Sequence, residues 1–149
     1  MYKYKPIQRL DYLVVHCADT KPSMDIGVKE IDRWHRERGW FCCGYHYVIR
    51  RNGKIERSKR HLDQPGAHVR GWNHCSLGIC LVGGMAEDSD KPECNFTEDQ
   101  WGALHFLLTQ LTKNPPVPGP CKVQGHRDFP KVTKACPTFD AIPWWAGVK

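Results

Sequence analysis

No two of the eight cysteines in this chain of 149 residues have the Cys-x-x-Cys spacing, which removes zinc-ribbon folds and thioredoxin-like redox chemistry from consideration. No apolar run approaches the length of a bilayer-spanning helix, and the N-terminal Met1-Tyr2-Lys3-Tyr4-Lys5-Pro6 lacks the apolar core of a signal peptide. The expectation is a product that starts in a cytoplasm, where reducing conditions favour free thiols and metal ligands over four disulfides. Internal repeats and low-complexity linkers are also missing. At this length, with 40% hydrophobic residues, the whole chain (1–149) is expected to form one domain. The charge is not balanced: 22 Lys and Arg against 16 Asp and Glu give a formal +6, which suits an anionic partner or simply a well-solvated surface. The densest basic run, Arg50 to Arg60, has no aromatic residues interleaved as a base-stacking platform would, so no direct nucleic-acid role is expected.

Short β-rich segments alternate with amphipathic ones. Leu10–His16 reads as a strand buried on both faces, because its apolar residues do not alternate with polar ones. Val28, Ile31 and Trp34 recur at helical spacing between Ile26 and Arg38, and Gly39 is placed to end that helix. Gly44–Arg50 is rich in β-branched and aromatic residues, and Asn52-Gly53 predicts a hairpin back through Lys54 to Arg57. Leu77–Val82 reads as a central buried strand ending at Gly83-Gly84. Thr97 and Gln100 form a capping box, with Phe96 and Trp101 as a hydrophobic staple, for a helix running to about Lys113. Pro115 to Pro120 breaks any helix, and a short closing helix capped by Asp140 follows, with Pro143 in its first turn. Mixed in this way, the elements predict an α/β fold with a central mixed β-sheet flanked by helices.

The chemistry concentrates in Gly125–Pro137. His126 and Cys136 lie ten positions apart on an irregular stretch and can converge on one ion, and Lys134 adds an ammonium beside them. A third ligand must come from elsewhere. His16, where a buried strand emerges into a loop, is a candidate, though such a histidine taken alone is more often a satisfied structural one. His35 and His105 read as packing residues. Two imidazoles and one thiolate on zinc would leave a coordination position open, and hydrolysis would be the natural chemistry. Lys134 could then face the oxyanion of a tetrahedral intermediate, and Tyr45 could orient water or shuttle a proton. The loop from Leu62 to Ser76, with His68, Trp72 and Asn73, has the composition of a groove lining.

These residues fall into a familiar series. Val14-Val15-His16-Cys17, Gly44-Tyr45-His46-Tyr47, His68 with Gly71 and Asn73, Ser76 through Gly84, Asn95-Phe96-Thr97, His126 and Lys134-Ala135-Cys136-Pro137 together resemble the zinc N-acetylmuramoyl-L-alanine amidases, in particular their small phage branch. The resemblance covers nearly the whole chain in the same order, and peptidoglycan recognition proteins share that family's fold. It implies one zinc ion per chain held by His16, His126 and Cys136, catalytic assistance from Tyr45 and Lys134, and substrate binding by His68, Trp72 and Asn73. The implied substrate is the muramoyl-L-alanine amide of peptidoglycan, reached at the cell wall of the host after the membrane is permeabilised. No membrane association is expected, and a monomer is. Some phage members also bind and inhibit the phage RNA polymerase, so a regulator of that kind is the second reading the resemblance implies.

Overall fold

A computed structural model describes residues 3–148; Met1, Tyr2 and Lys149, and with them the first two residues of the N-terminal segment read above, lie outside the described residues. Among the described residues, five strands form one mixed sheet: β1 (Tyr12–Cys17), β2 (Tyr47–Ile49), β3 (Ile55–Arg57), β4 (Ser76–Leu81) and β5 (Lys122–Gly125), in the order β3-β2-β4-β1-β5. Only β3 runs antiparallel to its neighbour. Among the described residues, three helices, α1 (Val28–Glu37), α2 (Glu98–Lys113) and α3 (Ala141–Val148), complete the fold. This is the α/β architecture with a mixed central sheet that the sequence predicts. No helix among the described residues is long and apolar enough to cross a membrane.

The pleat divides β1 between two cores. Leu13, Val15 and Cys17 point into the larger cluster, with Leu104 and Leu108 of α2 and Trp145 of α3. Val14 faces the other way, towards Val69 and Phe129. His16 shares the parity of Val14 and so emerges on the side opposite α2 and α3. Burial on both faces explains why β1 carries no polar alternation.

Local chemistry sets the helix ends. The first two free N–H groups of α1 are met by carboxylates, with Gly27 N–H donating to Glu30 Oε1 (2.7 Å) and Val28 N–H to Glu56 Oε1 (2.9 Å). Gly39 then ends the helix at φ 88°. From its buried face, α1 reaches the segment before β2: Cys43 N–H donates to Asp32 Oδ1 and Gly44 N–H to His35 Nδ1 (2.8 and 2.9 Å). These two bonds fix the backbone that carries Tyr45. At the start of α2, Thr97 Oγ1 and Gln100 Oε1 exchange reciprocal bonds with the backbone N–H groups of Gln100 and Thr97, and Phe96 meets Trp101 edge-on at 5.6 Å. The hairpin also forms as expected, with Gly53 at φ 87°.

Three details depart from the sequence reading. Strand β2 begins only at Tyr47: Gly44 is held by His35 of α1 and by Ala67 N–H instead, although His46 N–H still donates to Gly78 O and its carbonyl accepts from Ser58 N–H. The carboxylate of Asp140 is bonded by Arg127 Nη2 (2.7 Å), and α3 begins through the Asp140 carbonyl, which accepts from Trp144 N–H. The edge strand β5, with Val123 as its one large apolar residue, carries too little pattern to be read from sequence.

Gln100 is fully buried; its amide donates to the carbonyls of Ile49 and Val82 while Oε1 serves the capping box. Gln100→Ala should therefore cost about 3 kcal/mol of unfolding free energy in urea titrations, since two buried carbonyls lose a donor and the cap is lost with them. A second outcome concerns acid. His46 Nδ1 accepts from Gly78 N–H while Nε2 donates to Gln64 O, and burial pushes both His46 and His35 down to about 4. Both folded values lie below the unfolded value, so the neutral forms stabilise the fold. This contribution is complete above pH about 6.5 and is lost as pH falls through 4, with a limiting loss of a few kcal/mol. Metal-free protein whose stability stays flat from pH 7 to 4.5 would contradict it.

Candidate metal centre and its groove

Strand register brings the first two candidate ligands together. In the parallel pair β1–β5, Val15 lies opposite Gly125, so the next residue on each strand is His16 or His126, and their rings come to 4.7 Å between centroids. Beyond β5 the chain turns through His126–Asp128 and returns Cys136 to the same place. Arg127 closes this loop: its N–H donates to Cys136 O (2.9 Å), Nη1 to Ala135 O (3.2 Å) and Nη2 to Asp140. Gly125 is required at the crossing, because a Cβ there would lie 2.8 Å from the ring of Pro137.

His16, His126 and Cys136 each offer a ligand atom, and these atoms lie within 4.8 Å of one another. Cys136 Sγ is 3.8 Å from His16 Nδ1 and accepts a bond from Cys17 N–H (3.2 Å). In a tetrahedral centre with bonds of about 2.0–2.3 Å, nitrogen and sulfur ligands sit about 3.5 Å apart. The group therefore fits a metal ion, and the three residues could hold one. Their electrostatics agree. Burial, with the neighbouring histidines and Lys134, holds the His16 pKa well below the ordinary range, and burial with Lys134 lowers His126, so both imidazoles carry free lone pairs at neutral pH. The adjacent Cys17 thiol and burial push Cys136 up, which leaves it a neutral thiol unless a cation replaces its proton.

The three residues sit at the floor of a groove of about 430 Å³. Tyr45, His68 and Lys134 line it, as the sequence suggested. Tyr45 is 5.0 Å from His16 between ring centroids, and burial keeps its phenol protonated far above the usual range. Lys134 is exposed and its charge reaches both histidines. Trp72 and Asn73 are not brought into the groove. Trp72 packs edge-on against Tyr12 (5.7 Å) and beside Phe129 (5.5 Å), and Asn73 Oδ1 accepts from the backbone N–H groups of His68 and Val69 at 3.0 Å each. They shape the loop that carries His68.

Sequence reading missed much of the opposite wall. Trp34, Arg38 and Trp40 line the groove from α1 and the turn after it, and His35, expected only to pack, reaches it too. Asp19 lies on the rim at φ 58°, a left-handed conformation uncommon for a residue with a side chain. An exposed Trp beside a helix-ending glycine was the available signal, and periodicity does not register it.

Three side chains that could hold a metal ion, at the bottom of an open groove with a phenol and an ammonium beside them, have the composition that metal-assisted hydrolysis requires. Comparison with known proteins makes the class specific. The family model described as N-acetylmuramoyl-L-alanine amidase matches residues 5–139. The endolysin of Klebsiella phage KP32 is 44% identical over 145 residues, spanning 93% of this chain and 87% of that protein. Among solved structures, the N-acetylmuramoyl-L-alanine amidase LysC from Clostridium intestinale URNW superposes with a TM-score of 0.74 at 24% identity, covering 99% of this chain and 96% of that one. Peptidoglycan recognition protein-LE in complex with tracheal cytotoxin gives 0.73 at 20%, covering 99% and 84%, so the fold is shared. The chain belongs to the N-acetylmuramoyl-L-alanine amidase family.

The protonation states give a direct check on the ligand set. Loading the metal-free protein with a divalent ion at pH 7 should release about one proton, from Cys136, because both imidazoles are already neutral. Calorimetry in buffers of different ionisation enthalpy measures this number, and the absence of any proton release would mean that Cys136 does not hold the ion.

Proposed function

We propose that the protein is a phage endolysin: a zinc-dependent amidase that cleaves the amide between the lactyl group of N-acetylmuramic acid and the L-alanine of the peptidoglycan stem peptide. The observation that carries this reading is the convergence of His16, His126 and Cys136 at the floor of the groove. Zinc suits the donor set, since neutral imidazole nitrogen and thiolate sulfur are borderline-soft ligands. When held by these three residues, zinc supplies Lewis acidity at its remaining position, which polarises carbonyls and acidifies water.

The chain's own side chains do the rest. The Lys134 ammonium, at the groove lip, neutralises the negative charge that develops on the carbonyl oxygen as the trigonal carbon becomes tetrahedral. Tyr45 stays protonated, so its hydroxyl enters the reaction as a hydrogen-bond donor and orients the reacting groups. The alanine nitrogen must be protonated before it leaves. Along the opposite wall, Trp34 and Trp40 offer apolar faces for the sugar and peptide, and Arg38 offers a guanidinium for a carboxylate. Trp72 and Asn73 contribute through the loop they hold. The place of action is the cell wall, after the membrane has been permeabilised.

Zinc-loaded protein should release new amino groups from purified peptidoglycan and stop when a chelator is added. Lys134→Ala should retain zinc yet lose about 10²- to 10³-fold in turnover, as when one oxyanion partner is removed. Cys136→Ser should lose zinc affinity as well. Wild-type protein that binds no zinc, or that leaves the amide intact, would refute the assignment.

A further inference from the structure

We propose that His68 and Ser76 are positioning residues for the metal centre: a hydrogen-bond relay running from a backbone carbonyl fixes His16 as its Nε2–H tautomer and so presents Nδ1 to the ion. This rests on the reading of His16 as a metal ligand.

The direction of the relay follows from its fixed end. Ser76 Oγ lies 2.8 Å from the carbonyl oxygen of Trp72, which can only accept, so the hydroxyl hydrogen is committed there. Towards His68 Nε2, 3.3 Å away, the same oxygen must then act as acceptor, and Nε2 carries the hydrogen. In a neutral imidazole that leaves His68 Nδ1 bare. Nδ1 is 2.9 Å from His16 Nε2, which therefore donates, and the remaining lone pair of His16 is on Nδ1, the atom that faces Cys136 Sγ. Each step has one donor and one acceptor. Both rings are buried, where the neutral form that this ordering requires avoids the cost of desolvating a charge.

The surroundings of His68 are built to keep it there. A Cβ on Gly78 would stand 2.6 Å from His68 Cγ, and one on Gly66 would stand 2.7 Å from Cδ2, so two glycines clear the space for the ring. Asn73 holds its backbone N–H. With both ring nitrogens engaged and 8% of the residue exposed, no nitrogen of His68 is left for a ligand in the groove. Its role is to orient His16, and the substrate-binding role implied by the resemblance does not fit this geometry.

Nitrogen-15 spectra of metal-free wild-type protein read the tautomers without reference to activity. The expected result is hydrogen on Nε2 of both His16 and His68; hydrogen on His16 Nδ1 would overturn the proposal. Zinc affinity, measured by competition with a chromophoric chelator, provides the second readout. His68→Leu should raise the zinc Kd about 10- to 100-fold, as loss of a bond to a ligating imidazole does elsewhere. His68→Gln, which can accept with Oε1 and donate with Nε2, should restore most of the affinity. Ser76→Ala should weaken zinc binding with the ring still in place, and it decides the matter if His68→Leu does not fold. Affinity unchanged in Ser76→Ala, or in a folded His68→Leu, would refute the relay. Wild-type protein that failed to bind zinc would instead refute the metal reading itself, and the metal-free spectra would still report on the relay.

Discussion

The pairing of β1 with β5 is the constraint on which the site depends. Neither histidine is held to the other by covalent proximity, since His16 and His126 lie 110 positions apart in the chain. Parallel register places Val15 opposite Gly125 and brings both imidazoles out one residue later, at the carboxyl ends of neighbouring strands. Ligand sites in open α/β sheets form at such ends because the backbone there is released from the ladder while its direction is still fixed. Cys136 then needs only a short loop to return, and Arg127 holds that loop by its own main-chain and side-chain donors.

Burial acts on this site in two ways. Desolvation keeps the imidazoles neutral, which suits them to a cation, and keeps the thiol and the phenol protonated until charge is supplied. The same desolvation makes every unmatched polar atom costly, and no side-chain nitrogen or oxygen buried among the described residues lacks a partner. His35 and His46 spend ring nitrogens on backbone groups, Gln100 bonds backbone groups and Arg51, and His68 bonds His16 and Ser76, which together fix the segments that carry Tyr45 and His16. The buried polar groups form a scaffold around the groove.

Elements with strong local codes could be read directly. The capping box and staple of α2, the Asn52-Gly53 hairpin and the glycine that ends α1 depend on residues within a few positions of one another, so short stretches of sequence contain the whole interaction. The runs of apolar residues in β1 and β4, without polar alternation, announced burial on both faces. The motifs also named the residues that converge on the groove, including Tyr45 and Lys134. By contrast, β5 carries almost no pattern, because an edge strand of four residues takes its conformation from the neighbour it pairs with.

What the sequence by itself determined was the α/β class, the long helix and its cap, and a set of residues with the chemistry of a metal-dependent hydrolase. Tertiary structure decided how those residues divide the work. Trp72 and Asn73 share a loop with His68 and cannot be told from it by type or spacing, yet one packs against aromatic rings and the other binds backbone N–H groups. The groove wall formed by Trp34, Arg38 and Trp40 likewise arises only when α1 is laid across the sheet. Residue type states which bonds a side chain can make. Which bond it makes depends on a partner far away in the chain, and only folding brings that partner within reach.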